Sequence, residues 1–565
     1  MSERNPPRQS ASAPSLLLRL FPFLAWGPGV SRATLRVDAL AGLSVALVAI
    51  PQSLAYAQLA GLPPYYGLYA ALLPTIVGAL YGSSAQLSTG PVALTSLLTA
   101  ASISTMAAAG TGQYVAFAIM LALLSGLFQI AFGALRLGVL MNLLSNPVLT
   151  GFVNAAAILI ALSQIPALVG MPPPGTGHAL GDAWFVLAHA PQAHALSIAF
   201  GAAAIAALAA FRLFAPRLPG VLLTVAILTA ASYLLDYAGR GGRIVGEIPH
   251  GLPALSLPDF LTDAWIDLLP AAFAIAVVSF MEAMSSAKIA AVKTSAKWDE
   301  NQELIGQGLA KVAAAFSQTM PVSGSFSRSA LNLAAGARTG LSSIFCALCV
   351  LLTLLYFTPL LRYLPLPVLA AIIVMAVASL VNLRSLRNAW AASRDDAVAA
   401  GLTFAATIAF APQIQNGIFT GILVSLALFI YRRMRPQVAV VEPDPALHPA
   451  VGVIRFEASL IFVNVSFFED AVLQLKRRHP RLRFVLVSAS TINLLDASGI
   501  EMLSALQEGL RKNGTALVFS GVNPGVREAL ERTGLVGRIG AENFFPDDPA
   551  AFAALAGRPP ASAIL

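Results

Sequence analysis

Long apolar segments dominate the first 431 residues of this chain and alternate with short polar loops. Most approach the roughly 20 residues that an α-helix needs to cross a lipid bilayer. Only 11% of the residues are charged and 57% are hydrophobic, whereas about 25% of the residues of a soluble protein are charged. The pattern predicts a polytopic α-helical membrane protein with about fourteen spans. The segments lie at 38–58, 66–81, 91–104, 112–133, 145–166, 195–213, 219–237, 268–287, 301–318, 326–335, 340–361, 365–381, 396–412 and 415–431.

The basic residues between these segments predict the orientation of the chain. An even number of spans places both termini on one side, and that side carries most lysines and arginines, including the cluster at 432–435. The opposite side carries only Arg240, Arg243 and Arg362. Because short loops rich in Lys and Arg stay in the cytoplasm, we expect both termini to be cytoplasmic and the protein to lie in the plasma (inner) membrane. The net charge of +8 is spread between apolar segments, which argues against a nucleic-acid partner.

The composition changes after Pro436. The stretches GVIRFEASLIFVN, RFVLVSAS and TALVFSGV predict strands, and FFEDAVLQLKRRH, ASGIEMLSALQEGLRKNG and VREALERTGLV predict helices. Strands that alternate with helices indicate a small cytoplasmic α/β domain. We divide the chain into an N-terminal segment (1–37), a transmembrane domain (38–435), the α/β domain (436–558) and a tail (559–565).

Two of the fourteen segments are short and interrupted by Gly, Pro and Ser. STGPVALTSLL belongs to the third segment and SGSFSRSALN to the tenth, so each is third in one half of a seven-plus-seven arrangement. Paired broken helices at matching positions are typical of inverted-repeat transporters, whose site lies between them. A helix that begins inside the membrane presents free N–H groups and a partial positive charge, which bind anions. Alternatively, the small residues only allow tight helix packing.

Two ionisable residues stand within this apolar region. Arg328 lies near the start of the tenth segment, where it adds positive potential, contacts an anion or forms a structural ion pair with an acid. Glu282 lies within the eighth segment between apolar residues, and it is a candidate proton carrier. In the first segment Pro51 interrupts the helix beside Gln52, and Tyr56 follows one turn later on the same face. Gln52 donates to an oxyanion or holds helices together, and Tyr56 is expected to wall a pocket.

Three stretches resemble the sulfate permease family, which includes bacterial and plant sulfate transporters and animal anion exchangers related to prestin. They are PQSLAYAQLAGLPPYYGLYAALLP, GSSAQLSTGPVALTSLL and NQELIGQGLAKVAAAFSQTMPVSGSFSRSALNLAAGARTGLSS. The resemblance implies a seven-plus-seven inverted repeat, a core and a gate domain, and a homodimer. It also implies that the anion binds between the third and tenth spans. The residues implied to line that site are Gln52, Tyr56, Val92, Ala93, Phe326, Ser327 and Arg328. Glu282 matches the acid of proton-coupled members.

The C-terminal domain resembles the STAS domain, through VLVSASTINLLDASGIEML. In phosphorylated relatives a serine directly follows the aspartate, whereas here Ala497 follows Asp496 and Ser498 comes next. This departure argues against a phosphorylation switch of that kind. We therefore predict that Asp496 caps the following helix. A cytoplasmic partner at this domain is a further expectation.

The sequence thus predicts a secondary transporter of a small oxyanion, most simply sulfate, coupled to protons and working by elevator-like alternating access. A bicarbonate or C4-dicarboxylate carrier or anion exchanger is the alternative within this class. Sodium-driven bicarbonate relatives resemble this chain but have an acid at the position of Ser286, so sodium coupling is disfavoured. A membrane-tethered STAS signalling protein is the alternative of another class. We expect no cofactor, no metal site and no enzyme activity, since no phosphate-binding loop or nucleophile–base constellation is found.

Overall fold

The computed structural model describes residues 21–138, 145–172, 179–216, 218–249, 251–256, 265–441 and 450–556. The chain forms two compact units, one up to Ser425 and one from Leu426 onward. The predicted tail at 559–565 and most of the N-terminal segment at 1–37 lie outside the described residues.

A helix lies at each of the fourteen apolar segments, so the predicted helical membrane architecture is confirmed. These helices are Arg32–Leu59, Tyr65–Ala70 with Leu73–Tyr81, Ala93–Ile103, Gly112–Ala134, Asn146–Ser163 with Ile165–Leu168, Ala195–Phe214, Gly220–Leu234, Trp265–Thr294, Glu300–Phe316, Phe326–Ala334, Leu341–Leu352 with Thr358–Leu361, Leu366–Ala378, Arg394–Ala409 and Gln415–Met434. Three further helices, Phe23–Trp26, Ala179–Ala188 and Leu383–Ala392, lie outside those segments.

Seven helical stretches are long and apolar enough to cross a membrane on their own, among the residues described. Large apolar side chains on the outer surface suit a lipid environment, for example Leu40 (66% exposed), Phe214 (86%) and Leu234 (79%). Several remaining helices are shorter than a bilayer requires, so the count of fourteen complete spans stays a prediction.

Five helices of the N-terminal unit contain predicted site residues or pack beside them. The Gln52 helix is Arg32–Leu59, the Glu282 helix is Trp265–Thr294 and the Lys311 helix is Glu300–Phe316. The first half-helix is Ala93–Ile103 and the second half-helix is Phe326–Ala334. The two half-helices are the third and tenth of the fourteen, as the sequence predicts.

Local sequence explains where several of these helices begin. Ser31 caps the Gln52 helix by accepting a hydrogen bond from the backbone N–H of Thr34 at 3.1 Å. Asp299 caps the Lys311 helix by accepting from the N–H groups of Asn301 and Gln302 at 2.9 and 3.1 Å. Such side chains satisfy N–H groups that have no partner within the helix. Apolar surfaces then pack the helices together.

The helices pack in two groups within the N-terminal unit. The first four helices and the eighth to eleventh form one group, in which the Lys311 helix packs on Gly112–Ala134 and the Gln52 helix packs on Leu341–Leu352. The fifth, sixth, seventh, twelfth, thirteenth and fourteenth helices form the second group. In it Arg394–Ala409 packs on Asn146–Ser163 and contacts the glycines of Gln415–Met434. We call these the eight-helix group and the six-helix group.

The C-terminal unit is an α/β domain, as predicted. The two short strands of the N-terminal unit are β1 (Thr89–Gly90) and β2 (Ser323–Gly324), and the C-terminal strands are β3 Val438–Val441, β4 Val451–Phe456, β5 Phe484–Ser488, β6 Ala516–Ser520 and β7 Phe544–Phe545. The five C-terminal strands form one sheet in the order β3-β4-β5-β6-β7, and only the β3–β4 pair is antiparallel. Apolar side chains cover both faces of the sheet. The helices are Val465–Arg478, Ala497–Lys512, Pro524–Arg532, Leu535–Ile539 and Asp548–Ala556.

One strand of this unit is shorter than its sequence indicates. GVIRFEASLIFVN continues to Asn464, but β4 ends at Phe456. After that residue the backbone turns away: Leu460 forms only an isolated bridge to Leu495, and the side chain of Asn464 accepts from the N–H of Ile461 at 3.0 Å. The edge strand β3 was not predicted from the sequence.

Asp496 caps the helix Ala497–Lys512, which confirms the predicted structural role. One carboxylate oxygen accepts from the N–H of Gly499 at 2.9 Å, and the other accepts from the N–H of Phe462 at 2.8 Å. The carboxylate therefore joins the helix start to the loop after β4.

Asp496→Ala is expected to destabilise the C-terminal unit by about 1–2 kcal/mol, because it removes a helix cap. Hydrogen exchange of the full-length protein should show faster exchange of the amides of Phe462 and Gly499. Asp470→Ala, at an exposed helix position, is the control and should leave both rates unchanged. Loss of transport with unchanged exchange would instead assign Asp496 a regulatory role.

Candidate anion site between two half-helices

Two short strands cross inside the N-terminal unit. β1 (Thr89–Gly90) and β2 (Ser323–Gly324) pair antiparallel, with Thr89 opposite Gly324, and all four residues are buried. A Cβ atom on Gly324 would lie 2.8 Å from Leu87 Cδ1 and 3.0 Å from the Cβ atom of Ala283. The close approach of these elements therefore requires glycine at this position.

A half-helix begins directly after each strand. Val92 is extended (φ −140°, ψ 156°) and the first half-helix starts at the next residue. Ser325 is the N-cap of the second half-helix, and its hydroxyl accepts from the N–H of Arg328 at 3.4 Å. Because the first residues of both half-helices line the same cavity, the partial positive charges of two helix N-termini act on one space.

This cavity, which we call the half-helix cavity, has a volume of about 610 Å³. Its walls come from both helix groups and mix polar with apolar side chains. The lining residues are Gln52, Tyr56, Val92, Ala93, Leu149, Thr150, Val153, Asn154, Glu282, Ser325, Phe326, Ser327, Ala330, Ala376, Ser379, Leu380, Asn382 and Ser385. Six of the seven predicted substrate-site residues therefore lie together, along with the predicted proton carrier.

Gln52 and Tyr56 form part of the wall from the Gln52 helix. Both side chains are buried, at 7% and 5% exposure, and they lie one turn apart beyond Pro51, which stands inside the helix. Gln52 Oε1 has no hydrogen-bond partner among the described residues. This oxygen is an acceptor, so only the Nε2 group of Gln52 could donate to an anion in the cavity.

Glu282, on the Glu282 helix, lines the same cavity as Gln52 and Tyr56. Its Oε2 atom is buried and makes no hydrogen bond within the part of the chain that the structure describes. A buried carboxylate oxygen without a donor is costly while the group is ionised, and less so once it carries a proton. The geometry therefore suits a group that takes up and releases a proton.

Arg328 is the one predicted substrate residue that does not line the cavity. The side chain is 2% exposed and points to the loop before the first half-helix. Its Nη1 atom donates to the carbonyl oxygen of Pro91 at 2.9 Å, and Nε donates to Ser88 Oγ at 3.4 Å. Nη2 has no partner among the described residues, and no ion pair joins Arg328 to a carboxylate there. Arg328 thus links the two half-helix entrances and contributes positive potential from behind them.

The family comparisons agree with this architecture. The family model of the sulfate permease family matches residues 35–403. The chain belongs to the sulfate permease family. The STAS domain matches residues 442–550, which include most of the C-terminal sheet.

Relatives of this sulfate permease family member match along most of their length. The chain is 32% identical over 542 residues to a probable sulfate transporter 4.2 of Arabidopsis thaliana, covering 90% of this chain and 79% of the relative. It is 31% identical over 556 residues to a probable sulfate transporter of Mycobacterium tuberculosis, covering 93% and 97%. The murine anion transporter Slc26a9, solved in the inward-facing state, has the same fold: TM-score 0.88, 21% identity, and coverage of 98% of this chain and 97% of that one.

Sequence reasoning missed a buried lysine in this family member. Lys311 is 0% exposed, and its Nζ atom donates to Gln129 Oε1 at 2.8 Å. The sequence contained a signal for this buried charge-bearing residue, because Lys311 is the only basic residue in the apolar segment 301–318.

Two asparagines on the other side of the cavity were also missed. Asn154 and Asn382 line the cavity, and Asn154 Oδ1 accepts from the backbone N–H of Asn382 at 2.8 Å. Asn154 is a single amide in an apolar segment, which is a common helix contact, and Asn382 only follows the segment 365–381, so the sequence does not distinguish either as a cavity residue.

Proposed function

We propose that this protein is a proton-coupled transporter of sulfate. The observation that carries the proposal is the half-helix cavity, into which two helix N-termini, a buried glutamine and the carboxyl group of Glu282 converge; one oxygen of that carboxyl group has no hydrogen-bond partner among the described residues. The named functions of the relatives support sulfate as the anion. Helix N-termini bind oxyanions without a full positive charge, which permits release after each crossing.

Proton coupling follows from the charges around the cavity. An anion that enters beside ionised Glu282 meets a like charge, so binding favours the protonated carboxyl group. Arg328 supplies positive potential from behind the half-helices, and Ser327 offers a hydroxyl at the cavity wall. Sulfate and proton are therefore expected to bind together and to be released together.

Alternating access is proposed to follow the two helix groups. The half-helices and Glu282 belong to the eight-helix group, whereas Thr150 and Asn154 belong to the six-helix group. In this elevator-like mechanism the eight-helix group is the core and the six-helix group is the gate. The core would move against the gate and carry the anion across the membrane. The inverted repeat, the homodimer, the cytoplasmic termini, the plasma-membrane location and a partner at the STAS domain stay predictions from the sequence.

Uptake of radiolabelled sulfate into proteoliposomes that contain the full-length protein tests this function. With an acidic outside and a neutral lumen, we expect uptake to exceed that without a gradient by at least severalfold. Liposomes without protein are the control, and a protonophore should remove the stimulation. Sulfate uptake that is equal with and without the pH gradient would overturn proton coupling. Absence of sulfate uptake would overturn the assignment of sulfate as the substrate.

Competition distinguishes sulfate from the other anions that the sequence left open. Unlabelled sulfate is expected to compete at lower concentration than bicarbonate or a C4-dicarboxylate such as succinate, because a compact tetrahedral oxyanion offers four oxygens to converging N–H groups. Stronger competition by bicarbonate or succinate would reassign the substrate while leaving transport itself intact.

A further inference from the structure

Lys311 is a fully buried lysine that the transport scheme above does not use. Its ammonium group has one hydrogen-bond partner in the described structure, the neutral Gln129 side chain. No carboxylate forms an ion pair with it there. Burial of an unpaired ammonium is expensive, so Lys311 in its charged form requires a compensating negative charge nearby.

The two fully buried acids of the described N-terminal unit, Asp38 and Glu303, do not supply this charge. Asp38 accepts from the N–H of Arg338 at 2.7 Å and from the hydroxyl of Thr339 at 2.6 Å. Glu303 accepts from the N–H groups of Ser83 and Ser84, both at 2.9 Å. Each carboxylate is satisfied by its own local donors, and neither lines the half-helix cavity.

A chain of hydrogen bonds leads from Lys311 toward the cavity. Gln129 Nε2 donates to Ser279 Oγ at 2.9 Å and to the carbonyl oxygen of Ala276 at 2.8 Å. The carbonyl oxygen of Ser279 accepts from the hydroxyl of Ser323 in β2 at 2.8 Å. Ser279 lies three residues before Glu282, so the two share one helix face. Lys311 is therefore linked through Gln129 to the helix that carries Glu282.

Glu282 has two cationic neighbours that act on it electrostatically, Arg328 and Lys311. With both bases protonated and Glu282 ionised, this group of three carries one net positive charge. With Glu282 protonated as well, it carries two. We propose that Lys311 is a specificity-determining residue, whose buried charge makes the protonated site complementary to a divalent oxyanion and not to a monovalent one. This inference rests on the proposed function and names the charge class of its substrate.

The size of the effect follows from Coulomb's law. For an assumed separation of about 10 Å between the lysine charge and the anion, and an effective dielectric constant of about 20, one unit charge changes the affinity for a monoanion somewhat more than tenfold. The same charge changes the affinity for a dianion on the order of a hundredfold or more. Loss of the Lys311 charge is therefore expected to lower the ratio of sulfate to nitrate affinity about tenfold.

Substitution of Gln129 tests this without removing the lysine. Gln129→Glu places a carboxylate beside Lys311 and cancels its charge, whereas Ser279→Ala removes one hydrogen bond of Gln129 and leaves the Lys311–Gln129 contact in place. Sulfate and nitrate binding to the full-length protein in nanodiscs would be measured by isothermal titration. We expect the sulfate-to-nitrate ratio to fall about tenfold in Gln129→Glu and to change less than about twofold in Ser279→Ala.

The lysine itself provides a second pair. Lys311→Met should reproduce the loss of the ratio, and Lys311→Arg should restore it. Equal ratios in Gln129→Glu and Ser279→Ala would overturn the inference and make the lysine a packing residue. A wild-type protein that does not bind sulfate would overturn the proposed function, and with it the assignment to a dianion.

Discussion

Glu282→Gln is expected to reduce proton-driven sulfate uptake at least tenfold, while exchange of internal for external sulfate continues. Glutamine has nearly the shape of glutamate, but its amide does not gain or lose a proton at the pH values of the uptake assay. The Glu282 carboxyl group lines the half-helix cavity and has an oxygen without a hydrogen-bond partner in the described structure. The substitution therefore removes the titrating group and leaves the anion site.

Parallel uptake and exchange assays in proteoliposomes measure the two activities separately. Asp267→Asn is the matched control, because Asp267 lies exposed in the first turn of the same helix. It should keep both activities. If Glu282→Gln still accumulates sulfate in response to an acidic exterior, the proton must bind elsewhere.

The sequence was a good guide to features that are local along the chain. Each apolar segment forms a helix because its composition places it in lipid or among packed helices, where the backbone N–H and C=O groups must bond within the segment. The broken segments were visible because Gly, Pro and Ser at 88–91 and 321–325 cannot continue a helix cheaply. Gln52 and Tyr56 could be placed on one face by helical spacing. Asp496 was recognised as a cap for the same local reason.

Features that join distant parts of the chain were not accessible in this way. The direction of the Arg328 side chain depends on Ser88 and Pro91, about 240 residues earlier, so sequence could not separate an anion ligand from a link between half-helices. Lys311 meets Gln129 across 182 residues, and neither segment alone predicts that contact. The second wall of the cavity, with Asn154 and Asn382, likewise exists only once the six-helix group packs beside the half-helices.

Arg328→Ala is expected to weaken sulfate binding more than tenfold and to shift the pH dependence of uptake in the same variant. The guanidinium supplies positive potential to the cavity and donates to Pro91, the residue just before the N-cap of the first half-helix. Its removal lowers that potential and leaves a buried carbonyl group without this donor, which costs about 1–3 kcal/mol. Titration of sulfate at several pH values would show whether affinity and pH dependence change together.

Arg328→Lys separates the electrostatic role from the linking role. The lysine keeps the charge but presents one ammonium, which does not reproduce two contacts made by different atoms of a planar guanidinium. Because Arg328 does not line the half-helix cavity, we expect the lysine variant to bind sulfate within about tenfold of the wild type and to keep its pH dependence. A lysine variant as weak as Arg328→Ala would show that the links to Ser88 and Pro91, and not the charge, hold the half-helices in a binding geometry. Unchanged sulfate affinity and pH dependence in Arg328→Ala would exclude both roles, and the arginine would then serve only to pack the crossing of β1 and β2.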